Sequence, residues 1–549
     1  MNEFNWLPKY LQDFGNYLES SSEKNEPNST VLDLVFIGSG LSSTFTLIEF
    51  INKLGQKLSE SFKRISDLKV RISVFEKDSC LWGGIPYGTR SGFTSLLLTP
   101  LDEFLPECEL DPFIKWMNDN IDWLLIPYQK SLGNHSKIWM SNFQKKLFSS
   151  ECEKLHLPRY FFGLYLWSKL WESVTHARVT IDLNYIKSEV LSIEPDLIHQ
   201  EKFKITTANN RVYLSKQVLL GVGIPKVRSL GMTNKIRDDI LFFNDPYTPS
   251  IVSSLEKIDN YILRKKSTKV LIVGANASSL ELLYHITNLK SFIHNNISIT
   301  VLSPQGKLPN LFIKDKISNF TAENLESLRS SDVEITADLI LDNFKKDLQL
   351  SVKNKIDISD TYPVFTSHIV SLLNRLSKEE KHSFCNFQGL EIGRLQRRSG
   401  IEYTQPVQSL LSSEKLKILK GKFVDFELIN GKTCVKYSID SEFNYKDYFD
   451  IIINCAGSLG LTDSGMTPLL RQLYNSGFCK KTKSNRGFIV GDDFEVMKGF
   501  YINGPLLAGN VVNNMSILHV EHCGRIISFA KQISNSLIAN YMDQIALAC

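Results

Sequence analysis

Residues 31–50, VLDLVFIGSGLSSTFTLIEF, decide the fold that we predict for this chain. The mostly apolar run that ends at Ile37 is typical of a buried strand in a parallel sheet. Gly38 and Gly40 follow at once, Ser43 stands where a third glycine is common, and apolar residues then recur at helical spacing. A strand, a glycine-rich turn and a helix in this order form the phosphate-binding corner of a dinucleotide fold.

The small residues of this turn each have a physical role. Gly38 permits the tight turn, Gly40 lets the backbone approach a pyrophosphate, and Ser43 allows the helix to pack closely on the strand. The second strand, KVRISVFEKD, ends at Glu76, where an acidic residue commonly accepts hydrogen bonds from a nucleotide ribose. The offset is 76 minus 38, or 38 residues, instead of about 20, so the insertion KLGQKLSESFKRISDL should lengthen the helix or its following loop. The alternative for Glu76 is a solvated charge at a strand end.

The same pattern returns in STKVLIVGANASSLELLYHI, 236 residues later (274 minus 38). Gly274, Asn276 and Ser279 occupy the three positions of the turn. Asn276 replaces the middle glycine, and we expect the turn to survive because asparagine tolerates left-handed dihedral angles. The next strand ends at Ser303 without a carboxylate, and Lys307 is close enough in sequence to pair with a 2′-phosphate. The pattern therefore favours NADPH over NADH.

Two such corners, both at strand-to-helix junctions, are expected of a flavoprotein with one site for FAD and one for a nicotinamide cofactor. The predicted fold class is α/β, with two Rossmann-like dinucleotide-binding domains, the second inserted in the first. The predicted division is an N-terminal helix and linker at 1–30, an FAD-binding domain at 31–250 and 441–549, and an NAD(P)-binding domain with a helical insertion at 251–440.

Composition narrows the class of protein. The 549 residues suggest two or three domains, and 43% hydrophobic with 22% charged residues is ordinary for a globular protein. A net charge of +4 gives no reason to expect nucleic acid or an anionic membrane as a partner. The nine cysteines are scattered without a C-x-x-C pair, which argues against a disulfide framework, a zinc site and a redox-active dithiol. With neither a signal-peptide pattern nor a long apolar run, we expect a cytoplasmic protein.

Several charged residues have two interpretations. Arg159 follows a proline at the start of an aromatic run, where it would reach a phosphate or the cofactor, or form a surface salt bridge. Arg397 and Arg398 are candidates to contact the nicotinamide cofactor or an anionic substrate, and a solvated basic face is the alternative. His519 and His522 lie three residues apart but lack a carboxylate partner, so no metal site is predicted.

The C-terminal part is predicted to complete the first sheet. YFDIIINCAGS, from Tyr448 to Ser458, has the pattern of another buried strand. The segment NNMSILHVEHCGRIISFAKQIS is predicted as a helix with Asn513 or Asn514 as its cap. Such a helix, directed at the isoalloxazine, would stabilise the reduced anionic flavin through its dipole.

These landmarks together resemble the bacterial FAD-NAD(P)-binding family, which is related to flavin monooxygenases with two dinucleotide-binding domains. The resemblance runs from about Leu32 to Ala530 and rests on FIGSGLSS, WGGIPYG, PRYFFGLYL, VLIVGANASS, LSPQGKLPN, QRRSG, NCAGS and INGPLLAG. It implies FAD on the first corner and NAD(P)H on the second. It also suggests four residues near the flavin, namely Tyr87, Gly88, Gly504 and Pro505.

We therefore expect an FAD-dependent oxidoreductase that NAD(P)H reduces, and specifically a monooxygenase that hydroxylates a small molecule. In such enzymes the cofactor carries out the difficult chemistry, which explains why no Ser-His-Asp set, carboxylate pair or metal cluster stands out. No catalytic residue and no oligomeric state are predicted. The alternatives are an oxygen-independent flavin dehydrogenase or reductase, and an FAD-binding protein without turnover, for which Asn276 leaves room.

Overall fold

The computed structural model describes most of the chain. The described residues are 5–22, 31–61, 68–78, 80–196, 203–231, 233–238, 240–311, 320–439, 443–520 and 522–548. Residues 23–30 of the predicted linker and 62–67 of the predicted insertion lie outside the described residues.

The described strands are, in chain order, β1 (Leu32–Ile37), β2 (Lys69–Glu76), β3 (Thr180–Lys187), β4 (Val190–Pro195), β5 (Phe203–Thr207), β6 (Val212–Leu220), β7 (Leu241–Phe243), β8 (Ser267–Val273), β9 (Asn296–Ser303), β10 (Asn310–Leu311), β11 (Arg398–Ser399), β12 (Leu416–Ile429), β13 (Lys432–Ile439), β14 (Phe443–Asp447), β15 (Ile451–Asn454), β16 (Glu495–Met497), β17 (Phe500–Ile502), β18 (Asn510–Val512) and β19 (Met515–Ile517).

The described α-helices are α1 (Lys9–Ser22), α2 (Leu41–Ser61), α3 (Gly84–Tyr87), α4 (Leu101–Phe104), α5 (Glu107–Lys130), α6 (Asn134–Leu147), α7 (Arg159–Thr175), α8 (Ile251–Leu263), α9 (Ala277–Asn288), α10 (Ser291–His294), α11 (Glu323–Ser330), α12 (Ala337–Lys353), α13 (Ile358–Arg375), α14 (Lys378–Asn386), α15 (Gln388–Leu395), α16 (Ile401–Ser412), α17 (Pro468–Asn475) and α18 (Cys523–Ala548).

The first sheet is built around β1, whose six residues are all buried. Its strand order is β16-β17-β6-β1-β2-β3, and the pairs from β17 to β3 are parallel. The antiparallel strands β4 and β5 extend from β6. A strand that is apolar along its whole length suits a parallel sheet covered by helices, and here α2 packs against both α7 and α18.

The second sheet repeats this parallel arrangement in a different part of the chain. Its order is β14-β13-β12-β9-β8-β15-β7. The pairs from β7 to β12 are parallel, whereas β13 and β14 are antiparallel. All seven strands lie between β6 and β16 in the sequence, so the second sheet is inserted in the first. The predicted fold class, α/β with two Rossmann-like domains of which one is inserted, is confirmed.

Strands of the second sheet lie outside the predicted bounds of the NAD(P)-binding domain. The structure places β7 and β15 side by side in the second sheet, although 241–243 and 451–454 lie on the outer sides of the predicted boundaries at 250 and 440. The strand YFDIIINCAGS thus belongs to the second sheet and not to the first. Sequence pattern alone does not distinguish these possibilities, because a short buried strand looks the same in either sheet.

The helices α11 to α15 form a unit with its own apolar core, which runs from Phe320 to Ile392. Two polar side chains of α14 attach this unit to the hairpin of β18 and β19. The side-chain amide of Asn386 donates to the carbonyl of Gly509 at 2.8 Å, and Lys381 donates to the side-chain oxygen of Asn514 at 2.5 Å.

The prediction of one helix beginning at Asn513 or Asn514 is wrong. These two residues have φ angles of +46° and +66° and form the turn between β18 and β19. Consecutive residues with positive φ are the geometry of a tight hairpin turn, which asparagine tolerates better than most residues. The helix α18 begins only at Cys523.

Candidate functional site

Gly38 ends β1 in a turn that admits only glycine. Its φ angle is +89°, and a Cβ atom there would lie 2.7 Å from the carbonyl oxygen of Gly221. The Gly38 amide donates to the carbonyl of Phe75 at 2.8 Å. The Gly221 amide donates to the carbonyl of Ile37 at 2.9 Å. The turn is therefore fixed between the ends of β2 and β6, and a side chain would bring both strain and overlap.

Gly40 and the first turn of α2 form the open side of this corner. A Cβ atom at Gly40 would meet only the Cα atom of Gly84, at 3.9 Å, so the backbone leaves space beside it. The helix α2 runs for 21 residues, and the first amide groups of any helix lack a partner within the helix. Such amides and the positive end of the helix dipole suit a pyrophosphate. The residues of this corner therefore fit the phosphates of FAD.

Ser43 takes the place of the third glycine. It is buried, and a side chain at Gly221 would overlap its hydroxyl group. The helix α2 thus lies directly on the end of β6, as close packing of helix on strand requires. The Ser43 hydroxyl has no hydrogen-bond partner among the described residues.

Glu76 is fixed at the edge of the same corner. Its Oε2 atom accepts from the amide and the hydroxyl of Ser39, both at 2.9 Å. Its Oε1 atom accepts from the amide of Asp78 at 3.0 Å. The carboxylate is half-buried and held by neutral donors, so it is not merely a solvated charge at a strand end. Each oxygen retains capacity to accept from a ribose hydroxyl.

Tyr87 and Gly88 lie beside this corner through α3. The Tyr87 ring packs edge-on against Phe162, with 5.5 Å between ring centroids. The Gly88 amide donates to the carbonyl of Gly84, which lies next to Gly40. Burial raises the pKa of Tyr87, and Cys523 nearby adds to the rise. The phenol is therefore neutral.

Gly504 and Pro505 reach the corner from the C-terminal part of the chain. The φ angle of Gly504 is +93°, and a Cβ atom there would lie 2.5 Å from the hydroxyl of Ser42 in α2. The neighbouring Asn503 donates to the hydroxyl of Thr46 at 3.0 Å. The structure thus brings the predicted residues of the FAD site together around the N-terminus of α2, and their roles toward the cofactor stay predictions.

The second corner has the same construction. Gly274 has a φ angle of +113°, and a Cβ atom there would overlap the carbonyl oxygen of Cys455. Its amide donates to the carbonyl of Leu302 at 2.8 Å. The Ser279 hydroxyl donates back to the carbonyl of Gly274 at 2.7 Å. Cys455 and Leu302 therefore occupy the positions that Gly221 and Phe75 have in the first corner.

Asn276 differs from the prediction in its backbone. Its φ and ψ angles are −121° and −167°, so it does not use the left-handed conformation that we expected; the positive φ belongs to Gly274. Its side-chain oxygen does not cap α9 and instead accepts a hydrogen bond from Arg397. Lys307 is exposed on the loop that follows β9. The contact between Asn276 and Arg397 was not predicted, and it adds a cation to this corner.

A buried ion pair joins the two dinucleotide-binding units. Arg159 begins α7 and lies 2.7 Å from the carboxylate of Glu281 in α9, with side chains 12% and 3% exposed. The Nε atom of Arg159 also donates to the carbonyl of Leu96 at 2.8 Å. The Ser95 hydroxyl lies 2.9 Å from Glu281 Oε1 and 2.9 Å from the Nε2 atom of His285. The salt bridge of Arg159 is therefore buried and does not lie at the surface.

Electrostatics keeps this pair charged. Burial alone would raise the pKa of Glu281, but Arg159 and the hydrogen bonds from His285 and Ser95 lower it from 4.5 to about 2. Sequence reasoning missed the partner. The available signal was a single acidic residue within the apolar helical run SLELLYHI, because a lone charge on a buried helix needs a counter-charge.

Two buried thiols near the corners, those of Cys455 and Cys523, are neutral. Burial raises the pKa of Cys455 to about 12, although a hydrogen bond from Ser279 opposes the rise. Burial also raises the pKa of Cys523, and Glu109 adds to the effect. The eight described cysteines are all free. Among the residues that the structure describes, none of these thiols forms a disulfide that could accept electrons.

The described ranges contain neither a metal-site cluster nor a membrane-spanning helix. No group of three or more histidine, cysteine, aspartate or glutamate residues there has the arrangement of a metal site. No helix in those ranges is long and apolar enough to cross a membrane.

Residues 35–225 match the FAD-NAD(P)-binding family. The chain carries this family's domain. The match runs from β1 to just beyond β6 and so contains the first corner with Gly38, Gly40, Ser43 and Glu76. The predicted family and its cofactors, FAD with a nicotinamide dinucleotide, are thereby confirmed. The matched domain supports a flavin- and NAD(P)-dependent oxidoreductase.

Similar proteins align with nearly the whole chain. Uncharacterized proteins of Mycobacterium tuberculosis and Mycobacterium bovis are 28% identical over 529 residues, which is 94% of this chain and 97% of theirs. Among solved structures, L-lysine 6-monooxygenase from Pseudomonas syringae is 12% identical, with a TM-score of 0.52 over 93% of this chain and 99% of that one. The ornithine hydroxylase of Pseudomonas aeruginosa is 12% identical, with a TM-score of 0.48 over 93% and 100%. The first of these structures supports the fold with two dinucleotide-binding domains.

We predict that Gly38→Ala abolishes the retention of FAD by the FAD-NAD(P)-binding domain. Alanine at a φ of +89° is strained by about 1–2 kcal/mol, and its Cβ atom would also collide with Gly221. The visible absorbance of the purified protein, divided by its protein absorbance, measures the flavin content.

Gly431→Ala is the matched control, because Gly431 has a φ of +77° and no heavy atom near its missing Cβ atom. This variant has the same backbone strain at positive φ but no overlap of the new Cβ atom with a neighbour. Gly431 lies in the hairpin of β12 and β13, far from the first corner in sequence. Equal flavin content in the two variants would contradict the role that we assign to Gly38.

We predict that Glu281→Gln lowers the free energy of unfolding by about 3–5 kcal/mol at pH 7, because it leaves Arg159 buried without its counter-charge. The pKa of Glu281 is depressed to about 2 in the folded protein, so its contribution is complete above the unfolded pKa of about 4.5. It is lost as the pH falls toward 2. Urea unfolding of both proteins between pH 7 and pH 2 should therefore give midpoints that converge at the acidic end.

Glu326→Gln is the control for this prediction, since it removes the charge of an exposed pair with Arg329. Exposed pairs contribute little to stability, so its urea midpoint should stay close to that of the unchanged protein. A difference between wild type and Glu281→Gln that is constant with pH would show that the carboxylate charge is not the source of the effect.

Proposed function

We propose that this protein is an FAD monooxygenase that NAD(P)H reduces and that hydroxylates a small molecule. The proposal includes Gly38, Gly40, Ser43, Glu76, Tyr87, Gly88, Gly504 and Pro505 as residues of the FAD site, and Gly274, Asn276, Ser279 and Lys307 as residues of the nicotinamide site. It also includes a cytoplasmic location, which the scattered cysteines favour.

The protonation state of the cysteine thiols supports our choice of dioxygen as the electron acceptor. Flavoproteins that reduce disulfides need a reactive cysteine pair beside the flavin, and reactivity requires a thiolate. Here the sequence has no C-x-x-C, and burial raises the pKa of both Cys455 and Cys523. Electrons that enter through NAD(P)H therefore need another acceptor, and dioxygen is the one that we propose. The fold likeness to L-lysine 6-monooxygenase agrees with this choice.

Bound FAD would accept hydride from NAD(P)H and activate dioxygen. The chain itself supplies binding and orientation. The amides of the first turn of α2 bind phosphate, and the carboxylate of Glu76 orients the ribose. The ion pair of Arg159 and Glu281 connects α7 to α9 and so links the two units.

We predict that the purified holoprotein shows flavin absorbance that disappears on anaerobic addition of NADPH and returns when air is admitted. An oxygen electrode should record consumption of dioxygen coupled to the loss of NADPH, and addition of the true substrate should accelerate both. The Gly431→Ala variant should behave as wild type in the same measurements.

Three results would contradict the proposal in different ways. Flavin that NADPH reduces but that dioxygen does not reoxidise would favour the oxygen-independent dehydrogenase or reductase. Bound flavin that ignores both NADPH and NADH would favour an FAD-binding protein without turnover. Protein that neither contains flavin nor takes up added FAD would contradict the assignment of the first corner itself.

A further inference from the structure

The second corner departs from the first at one position. Asn276 stands where Gly40 stands in the first corner, and its side chain lies where the backbone of the first corner is open. A middle glycine lets a pyrophosphate come close to the backbone. A chain with asparagine there needs another way to hold the phosphates of a nicotinamide dinucleotide.

Arg397 lies at this position. Its guanidinium donates to the side-chain oxygen of Asn276, at the residue that precedes the first turn of α9. A guanidinium binds phosphate oxygens as well as amide oxygens, because both accept hydrogen bonds from the same planar donor. The guanidinium of Arg397 could therefore donate to a phosphate oxygen in the way that it donates to Asn276. Arg397 is exposed, so a ligand can reach it.

Backbone contacts connect Arg397 to the loop that follows β9. The strand β11, which begins at Arg398, pairs in parallel with β10 on the loop after β9. The amide of Asn310 donates to the carbonyl of Arg397 at 2.9 Å, and the Asn310 side chain donates to the same oxygen at 3.0 Å. The backbone of Arg397 is therefore fixed to the loop that follows β9.

The adjacent arginine has a different environment. The guanidinium of Arg398 lies over the ring of Tyr362, 3.5 Å from its centroid, and packs against the helical unit. The two arginines thus separate into one that faces the corner and one that attaches the helical unit. Sequence alone left both as candidates.

We propose that Arg397 is the pyrophosphate anchor of the nicotinamide dinucleotide and that it compensates for the asparagine at position 276. The cation comes from the end of the helical unit of α11 to α15, so that this unit completes the second corner. The inference rests on the proposed function, because it requires NAD(P) at this corner. Lys307 keeps the separate role of a 2′-phosphate contact.

The test is the binding of NADP⁺ and NAD⁺ to the oxidised FAD holoprotein, measured by isothermal titration calorimetry. Arg397→Gln should weaken both dinucleotides by a similar factor, about 10- to 100-fold, because both contain the pyrophosphate and lose one charge-assisted contact. Lys307→Gln should weaken NADP⁺ only. Higher salt should weaken binding to wild type more than binding to Arg397→Gln.

Two further variants sharpen the test. Asn276→Asp keeps the size of the side chain but gives Arg397 a carboxylate partner that also repels phosphate. This variant should bind both dinucleotides more weakly than wild type. Arg397→Gln should reduce affinity less when it is added to Asn276→Asp than when it is made in wild type. Arg394→Gln removes an exposed arginine three residues earlier. Because it causes the same change in net charge, it is the matched control, and its affinities should stay within about twofold of wild type.

The possible failures are distinguishable. If wild type retains FAD but binds neither dinucleotide, the proposed function fails together with this inference. If wild type binds both and Arg397→Gln binds them equally well, only the role of Arg397 is overturned. A loss confined to NADP⁺ would also overturn it, since it would move the contact from the pyrophosphate to the 2′-phosphate. Flavin content and urea midpoint equal to wild type would show that a loss of affinity is not a loss of fold.

Discussion

The architecture depends on two places where a strand must turn into a helix without room for a side chain. At Gly38 and Gly274 the carbonyl of a neighbouring strand end fills the position of the missing Cβ atom. Because each turn is fixed on both sides by backbone hydrogen bonds, the following helix has one direction relative to its sheet. The groups that surround a bound dinucleotide, such as the carboxylate of Glu76, are positioned by this direction.

These corners could be predicted from the sequence because they are local. A buried strand, glycines at fixed spacing and an amphipathic helix are all contained in about twenty residues, and each has its own physical signature. The hairpin at Asn513 and Asn514 is local as well. It was misinterpreted because asparagine serves both as a helix cap and as a residue of left-handed turns, and the sequence does not say which.

Features that depend on contacts between distant parts of the chain were beyond sequence reasoning. Arg159 has a plausible surface role until α9 is placed against it, and only then does Glu281 become its partner. The contact of Arg397 with Asn276 likewise requires the pairing of β10 with β11, two strands of two residues each. Such short strands carry no periodicity from which their pairing could be predicted.

The ion pair of Arg159 and Glu281 also bears on how the two units can part. Removing one partner from a buried pair costs about 3–5 kcal/mol, because the other charge stays buried without a counter-charge. A movement that separates α7 from α9 is different, because both side chains would then reach water, and hydration would offset much of the lost attraction. The pair therefore favours one packed arrangement of the two units without barring a swing of one unit past the other during turnover. Its two side chains are buried together or exposed together, so the stage at which the units part is also the stage at which these charges meet water.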